Sequence, residues 1–432
     1  MKRKVLGLAV GALFAAPAAH AQITFGNEQI GTLQIYGKLY PQFGWTSYDG
    51  STQPGAAVAT YQGGGVGTVA SPLTNVIPAG PRIEDPLPRQ TVNVGNSYLG
   101  FRGERGLSSG FGGLKAIWQL ETATNFDVGN GTWASRDSFV GLTSGSFGTV
   151  RLGNMDTVYK SYGDTFSMFG ISSGNFVSAS NVLSQGVTGS SSAARFHERR
   201  TNSIMYETPT FAGITAGIMY GPDEAKTSQR NAALWSYGVK YDSERFYVSV
   251  HQEKHYDFFG LSSSINNAAL RNNGAASPSH STDTATRLSA ELRLPQVRLT
   301  FDVAKLEYEE TDQLLTAANP VKVAKYDHTN YAIGAESGFG PWRFATQYVV
   351  AGEGTCSFST LAGNTSSCSA SGLGAKLWTL GARYRFDRQT FVYAIYANLK
   401  NDVSAQYNNS APVAPNIGTD IDQFALGISY SF

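Results

Sequence analysis

Oily and polar side chains alternate along most of this chain, and the alternation is cleanest in its last nine residues. Phe424, Leu426, Ile428, Tyr430 and Phe432 fall on one face, and Ala425, Gly427, Ser429 and Ser431 on the other. Successive strand side chains point to opposite faces, so this segment predicts a strand with one apolar face and one small, polar face. The same period recurs upstream. Leu33, Ile35, Leu39, Phe43 and Trp45 alternate with Gln34, Tyr36, Lys38, Tyr40 and Gln42. Over 113–124, Leu114, Ala116, Trp118 and Leu120 alternate with Lys115, Gln119 and Glu121. Strands are also expected at 96–104, 135–143, 149–153, 199–208, 214–220, 234–242, 245–255, 285–294 and 297–305. Two more flank Gly338-Phe339-Gly340-Pro341, and two flank Asp387-Arg388. With the C-terminal strand the expected number is sixteen.

Short turns alternate with long polar connections from one end to the other. An even strand number puts both termini on one side. Both features predict an all-β transmembrane antiparallel barrel of sixteen strands, with short periplasmic turns, long extracellular loops, lipid on the apolar face and water on the polar one. Trp45, Trp118, Trp342, Trp378, Phe391, Tyr430 and Phe432 are expected to face outward near strand ends, as aromatic rings do at a membrane boundary. The segment 154–198 stands apart, being long, rich in Ser and Gly, and without regular alternation.

Composition agrees with a barrel. There are 48 glycines, aromatics make up 12% and charged residues only 15%, against about 25% charged in typical soluble domains. No mature segment has the roughly 20 consecutive apolar residues of a membrane helix. Lys2, Arg3 and Lys4, the short apolar run 5–16 and Ala19-His20-Ala21 read as a secretory signal over 1–21, leaving 22–432 as one barrel domain in the cell outer membrane. Without those three basic residues, 30 Lys and Arg face 32 Asp and Glu, a net charge of −2. That balance gives no support to nucleic-acid binding. The two cysteines, Cys356 and Cys368, sit twelve apart in a polar stretch; in an exported protein they read as one disulfide stapling a loop.

A diffusion channel needs a wetted wall, a constriction and charges, but no catalytic group and no cofactor. The strand register turns twelve basic residues inward: Lys38, Arg102, Lys115, Arg151, Arg199, Lys240, Arg287, Arg293, Arg298, Arg343, Arg383 and Arg385. Eight acids share that face: Glu104, Glu121, Glu207, Glu253, Glu291, Asp302, Glu336 and Asp387. This excess predicts a weak anion preference; cross-strand pairing would erase it. Tyr36, Tyr40 and Tyr98 offer a stacking track for a sugar, which would make the channel solute-selective. His251, Glu253 and His255 share one strand face, read either as a metal or proton-sensitive site or as wetted wall residues. Alternate strand positions splay too far apart to chelate one ion easily, so no metal is expected. Arg195, His197, Arg199 and Arg200, with Glu198, belong either to the constriction wall or to a solvated loop end. A barrel hydrolase would need a nucleophile beside a histidine, and no serine motif accompanies His197, His251, His255, His280 or His328. An adhesive role for the long loops has no residue-level support.

Several stretches resemble the Gram-negative general porins, trimeric sixteen-stranded diffusion channels. They are Leu33-Gln-Ile-Tyr-Gly-Lys38, Ser97-Tyr-Leu-Gly-Phe-Arg-Gly-Glu104, Gly113-Leu-Lys-Ala-Ile-Trp-Gln-Leu-Glu121, Phe139-Val-Gly-Leu142, Phe147-Gly-Thr-Val-Arg-Leu-Gly153 and Arg199-Arg-Thr-Asn-Ser-Ile204 with Tyr206. The resemblance covers 33–221 and the last strand in detail, and the rest in strand pattern. It implies a third loop, here 154–198, folded into the barrel, with an arginine-rich wall opposite it on which Lys38, Arg102 and Arg199 would lie. It further implies a homotrimer set in outer-membrane lipid and lipopolysaccharide, small hydrophilic solutes and ions as cargo, and a C-terminal Phe432 read by the barrel-assembly machinery. The expected pore-lining set is Lys38, Tyr98, Arg102, Lys115, Glu121, Arg151, Asp164 and Arg199. Two positions depart from the family: Tyr98 and Asn154 stand where arginine is frequent. The loop is also poor in acid, with Asp156 and Asp164 followed by none until Glu198. Asp164 reads either as a constriction carboxylate facing Arg102 and Arg199 or as a turn aspartate bonding its own backbone.

Overall fold

The computed structural model describes residues 23–27, 31–63, 75–107, 113–171, 173–186, 192–274, 277–361 and 365–432; the expected signal segment 1–21 lies outside them. Sixteen antiparallel strands close into a ring. β1 comprises Gly31–Leu39 and Gln42–Asp49, and β2 comprises Arg89–Asn93 and Tyr98–Gly106. Then come β3 Lys115–Ala123, β4 Ser138–Ser144, β5 Gly148–Asp156, β6 Arg199–Glu207, β7 Ile214–Gly221 and β8 Leu234–Asp242. β9 is Phe246–Tyr256, β10 His280–Arg293, β11 Val297–Thr311 and β12 Val321–Phe339. β13 is Trp342–Ala351, β14 Ala375–Arg385, β15 Thr390–Asn401 and β16 Asp420–Ser431. Each strand pairs with the next. β16 returns to β1, with Phe424 opposite Trp45 and Ser431 opposite Lys38. Closure leaves the ring no unpaired edge, which a sheet in hydrocarbon requires.

One seam shows how local chemistry keeps the ladder satisfied. Pro41 interrupts β1 because it has no N–H to donate. Opposite it, β2 breaks over 94–97. There the Ser97 hydroxyl accepts the Tyr40 N–H at 2.7 Å and donates to the Val94 carbonyl at 2.5 Å. The Pro41 carbonyl still accepts from Ile428 N–H at 3.1 Å. A further short strand, Ile23–Asn27, pairs with 31–35 and continues the line of β16 beyond Phe432.

Connections between strands alternate in length as expected. Short ones lie at the end that holds the termini, and long ones at the other. The outer face carries an apolar band in which Val250, Phe301 and Ile333 are exposed, with Phe339, Trp342 and Phe344 at its lower rim. Above it, β9–β12 run past the band. Their outward residues there are Lys254, Thr284, Lys305, Glu307, Asp327 and Thr329. Hydrophobic alternation stops at that level while the backbone ladder continues, so these strands are longer than their sequence pattern. Phe391, expected outside, faces inward in register with Arg385 and packs edge-on against Tyr40 at 6.1 Å. Asp387 is a turn residue that accepts from the N–H groups of Gln389 and Thr390, not a wall acid.

The interior is not wet throughout. Along the long-loop half of β10–β16, inward Leu306, Tyr308, Tyr326, Leu377 and Leu399 are fully buried. They pack against Tyr61, Leu261, Leu270, Phe358 and Tyr407 from the long connections. Loops thus fill that side with an apolar core. In the connection after β13, Cys356 and Cys368 are joined as a disulfide with Cα atoms 5.4 Å apart. The next residue, Ser369, exchanges hydrogen bonds with Thr60, linking this connection to the one after β1.

Candidate functional site

The third long connection, 157–198, crosses the inside of the barrel. Thr157 caps its first helix, α1 (Val158–Gly163), by accepting from the Lys160 N–H, and the chain leaves the helix at Asp164. Donors on the wall then hold the loop by its backbone. Tyr247 and Ser249 hydroxyls donate to the Tyr162 carbonyl at 2.6 and 3.1 Å, and Arg287 donates to Gly163 at 2.5 Å. On the return, Gln347 donates to Val177 at 2.6 Å, Asn330 to both Val182 and Leu183 at 3.1 Å, and Tyr308 to Ala194 at 2.6 Å. Loop backbone buried away from water must be satisfied in this way.

Glycines on the wall make room for the loop's large side chains. A Cβ at Gly381 would come within 2.7 Å of both the Met168 sulfur and the Phe169 ring; one at Gly334 would meet the Phe166 ring at 2.9 Å. At the loop tip, Lys38 donates from β1 to the Gly170 carbonyl at 3.0 Å. This contact pins the tip to β1.

The opposite wall is basic and aromatic. Arg102 donates to Gln34 at 2.9 Å and lies over the Tyr36 ring at 4.8 Å. Arg136 lies over Tyr98 at 4.9 Å and is ion-paired with Glu121, which also accepts from Tyr36 at 3.0 Å. Arg199 bridges Asp137 and Asp156, both at 2.7 Å. Arg136 and Asp137 went unrecognised in the sequence because they precede the alternating part of β4; the adjacent arginine and aspartate beside inward Glu121 were the available signal. The ring faces that would make a sugar track are taken. Cations cover Tyr36 and Tyr98, and Tyr40 is buried, stacked on Tyr393 at 4.5 Å.

Three of the expected constriction residues are held in local pairs. Lys115 pairs with Glu104 at 2.7 Å, exposed near the short-turn end. Arg151 pairs with Glu207 and lies over Phe139 at 5.4 Å. Asp164 faces neither Arg102 nor Arg199: its carboxylate is bonded to the Nε2 of His197, tying the start of the loop to its end. The row His251, Glu253 and His255 is buried beneath the loop, not wetted. His255 bonds Glu253 at 3.1 Å and stacks on Phe196 at 4.8 Å, while His251 meets Tyr159 edge-on at 5.0 Å. Among the described residues no cluster of His, Cys, Asp and Glu has the arrangement of a metal site.

Burial holds the His197 ring below the usual imidazole range, against the pull of Asp164. At neutral pH the ring is therefore uncharged and donates to the carboxylate. A folded pKa depressed below the unfolded value of about 6.5 means the unfolded chain takes up the proton first. The stabilisation is complete above that value and is lost as pH falls below it. A His197→Gln variant keeps a donor but no titration. Between pH 7.5 and 5.5 its melting temperature should fall less than that of the wild type; an equal fall would remove His197 from the account.

A model of the Gram-negative porin family matches residues 7–404. The chain is similar to the major outer membrane protein P.IB of Neisseria lactamica, 31% identical over 154 residues, covering 35% of this chain and 40% of the relative. It is similar to the P.IB protein of Neisseria gonorrhoeae at 33% over 152 residues, covering 35% and 39%. The aligned part thus spans about two fifths of the length of these curated relatives. Among solved structures, an anion-selective porin from Comamonas acidovorans superposes with a TM-score of 0.63 at 18% identity, over 93% of this chain and 100% of that one. OmpF of Salmonella typhi, solved with daunomycin, superposes at 0.55 and 18% identity, over 95% and 100%. At such identities the structural likeness is one of fold, and it agrees with the ring of sixteen strands. The family match over nearly the whole sequence places it: the chain belongs to the Gram-negative porin family.

Proposed function

We propose that the protein forms a water-filled channel for passive diffusion of ions and small hydrophilic solutes, with a preference for anions. As a Gram-negative porin with a lipid-facing apolar band it is an outer-membrane protein, and its family points to a channel and not to an enzyme. One observation carries the anion preference. Six inward wall acids, Glu104, Glu121, Glu207, Glu291, Asp302 and Glu336, are each ion-paired with a lysine or arginine, and Glu253, Asp283 and Glu310 are buried beneath the loops. Among the described residues, inward Lys38, Arg102, Lys240, Arg343, Arg383 and Arg385 have no carboxylate within ion-pair distance. At the start of the loop Asp156 is paired with Arg199, and Asp164, bonded to the uncharged His197 ring, offsets only one of these six cations. Unpaired charge of one sign on a narrow wall focuses potential, so cross-strand pairing sharpens the basic excess instead of erasing it. The covered tyrosine rings argue against sugar selectivity.

The reading includes assembly as a homotrimer in lipid and lipopolysaccharide, and insertion by the barrel-assembly machinery through Phe432. A KCl gradient across a planar bilayer tests the preference. The reversal potential should lie on the chloride side, and a potassium-side value would reject it.

A further inference from the structure

On the wall away from Arg102, below the loop tip, lies a group of arginines that the constriction does not use. Arg343 and Arg383 are direct register partners on β13 and β14. Arg385 shares their face two residues on, roughly 6.6–6.8 Å along the strand. The nearest inward carboxylate, Glu336, is bonded to Arg298 at 3.3 Å. Like charges directly opposite each other destabilise a sheet, and a guanidinium cannot relieve this by losing its proton. The group is also built to hold one place. Arg383 lies between the Phe169 ring at 5.4 Å and the Phe391 ring at 5.0 Å, and its Nε is buried with no hydrogen-bond partner. Gly338 stands in register with Arg343 and leaves room for its guanidinium, which donates to the Trp342 carbonyl at 3.1 Å, and Ala345 stands in register with Gly381.

We propose that Arg343, Arg383 and Arg385 form an anion-binding site on the short-turn side of the loop, taking a small dianion of the phosphate and phosphate monoester class. Guanidinium forks match phosphate oxygens two at a time. A dianion with three terminal oxygens engages more than one fork, and a monocarboxylate engages one. The proposal rests on the channel reading for the ligand's route to the site, but binding itself can be measured without conduction.

Equilibrium dialysis of labelled inorganic phosphate against the detergent-solubilised full chain, at low ionic strength, tests it. Arg343→Gln and Arg383→Gln should each weaken binding at least tenfold. Lys254→Gln, which removes one positive charge from the outer face, should leave it unchanged. Glycerol 3-phosphate should displace the label, and acetate at equal concentration should not. The heat-dependent gel shift of a folded barrel reports whether each variant has folded, and Arg343→Gln decides if Arg383→Gln does not fold. No saturable binding by the wild type, equal loss in Lys254→Gln, unchanged binding in a folded Arg343→Gln protein, or displacement by acetate would each overturn the site. A bilayer recording separates the two readings: conduction without phosphate binding removes the site alone, and phosphate binding without conduction removes the channel alone.

Discussion

Arg102→Glu will move the reversal potential in a KCl gradient from the chloride side towards or across zero. Among the described residues inward Arg102 has no carboxylate within ion-pair distance; it rests on Gln34 and the Tyr36 ring. The substitution changes the local charge by two units. At about 5 Å in water-like dielectric each unit is worth roughly 0.8 kcal/mol, so two units shift chloride and potassium by about 1.6 kcal/mol each in opposite directions and change their permeability ratio by up to roughly two-hundredfold. Arg102→Gln should give about half the shift in free energy. Both effects should shrink in molar salt, where the Debye length falls to about 3 Å. A reversal potential that does not respond to either variant would mean that permeating ions do not pass Arg102. Because Lys38 pins the loop tip to β1 through Gly170, that would put the passage elsewhere in the barrel.

Ile333→Arg will destabilise the barrel in a lipid-dependent way. Ile333 points outward on β12, is 57% exposed, and lies six residues from Phe339 at the lower rim. Its register partners are Phe301 and Tyr348. Arginine on the lipid face costs about 2–4 kcal/mol at the bilayer midplane and less towards the interfaces. Equilibrium unfolding from liposomes should show a loss in that range, while Ile333→Leu should be nearly neutral. Ala332→Arg, its neighbour, points at the loop-covered interior and should fail by overpacking whatever the lipid. A loss at position 333 that is the same in detergent as in bilayer would indicate a packing contact and not a lipid face.

The strands were legible wherever one face meets lipid and the other polar groups, as at Leu33–Trp45 and in the last nine residues. They were illegible where that contrast vanishes. The upper parts of β10–β12 are polar outside, and the inner face of β10–β16 is apolar because loops cover it. Pattern alone cannot tell an inward face that meets water from one that meets a loop. The row His251, Glu253 and His255 was misread for this reason, and Phe391 was placed outside because strand pattern alone did not fix its register. Lys38, Arg102 and Arg199 were assigned to the inward face by register, where they contact Gly170, Gln34 and Asp137. Asp164 was misplaced because its partner His197 lies thirty-three residues away, and no local pattern encodes that pairing. The glycine seats under Phe166 and Phe169 were equally silent: a wall glycine reads as weak strand propensity until the side chain above it is known.

The claim beneath all of this is that neighbouring positions on one strand face two solvents. Gln119 and Leu120 on β3 are such neighbours, one in register with inward Arg102 and the other with outward Phe101. The chain's two cysteines are joined to each other, so an introduced cysteine is the one free thiol. In proteoliposomes, a charged, membrane-impermeant thiol reagent should label Gln119→Cys and reduce its current, and should leave Leu120→Cys unlabelled. Equal labelling of both, or labelling of Leu120→Cys alone, would contradict a barrel with lipid outside and water within.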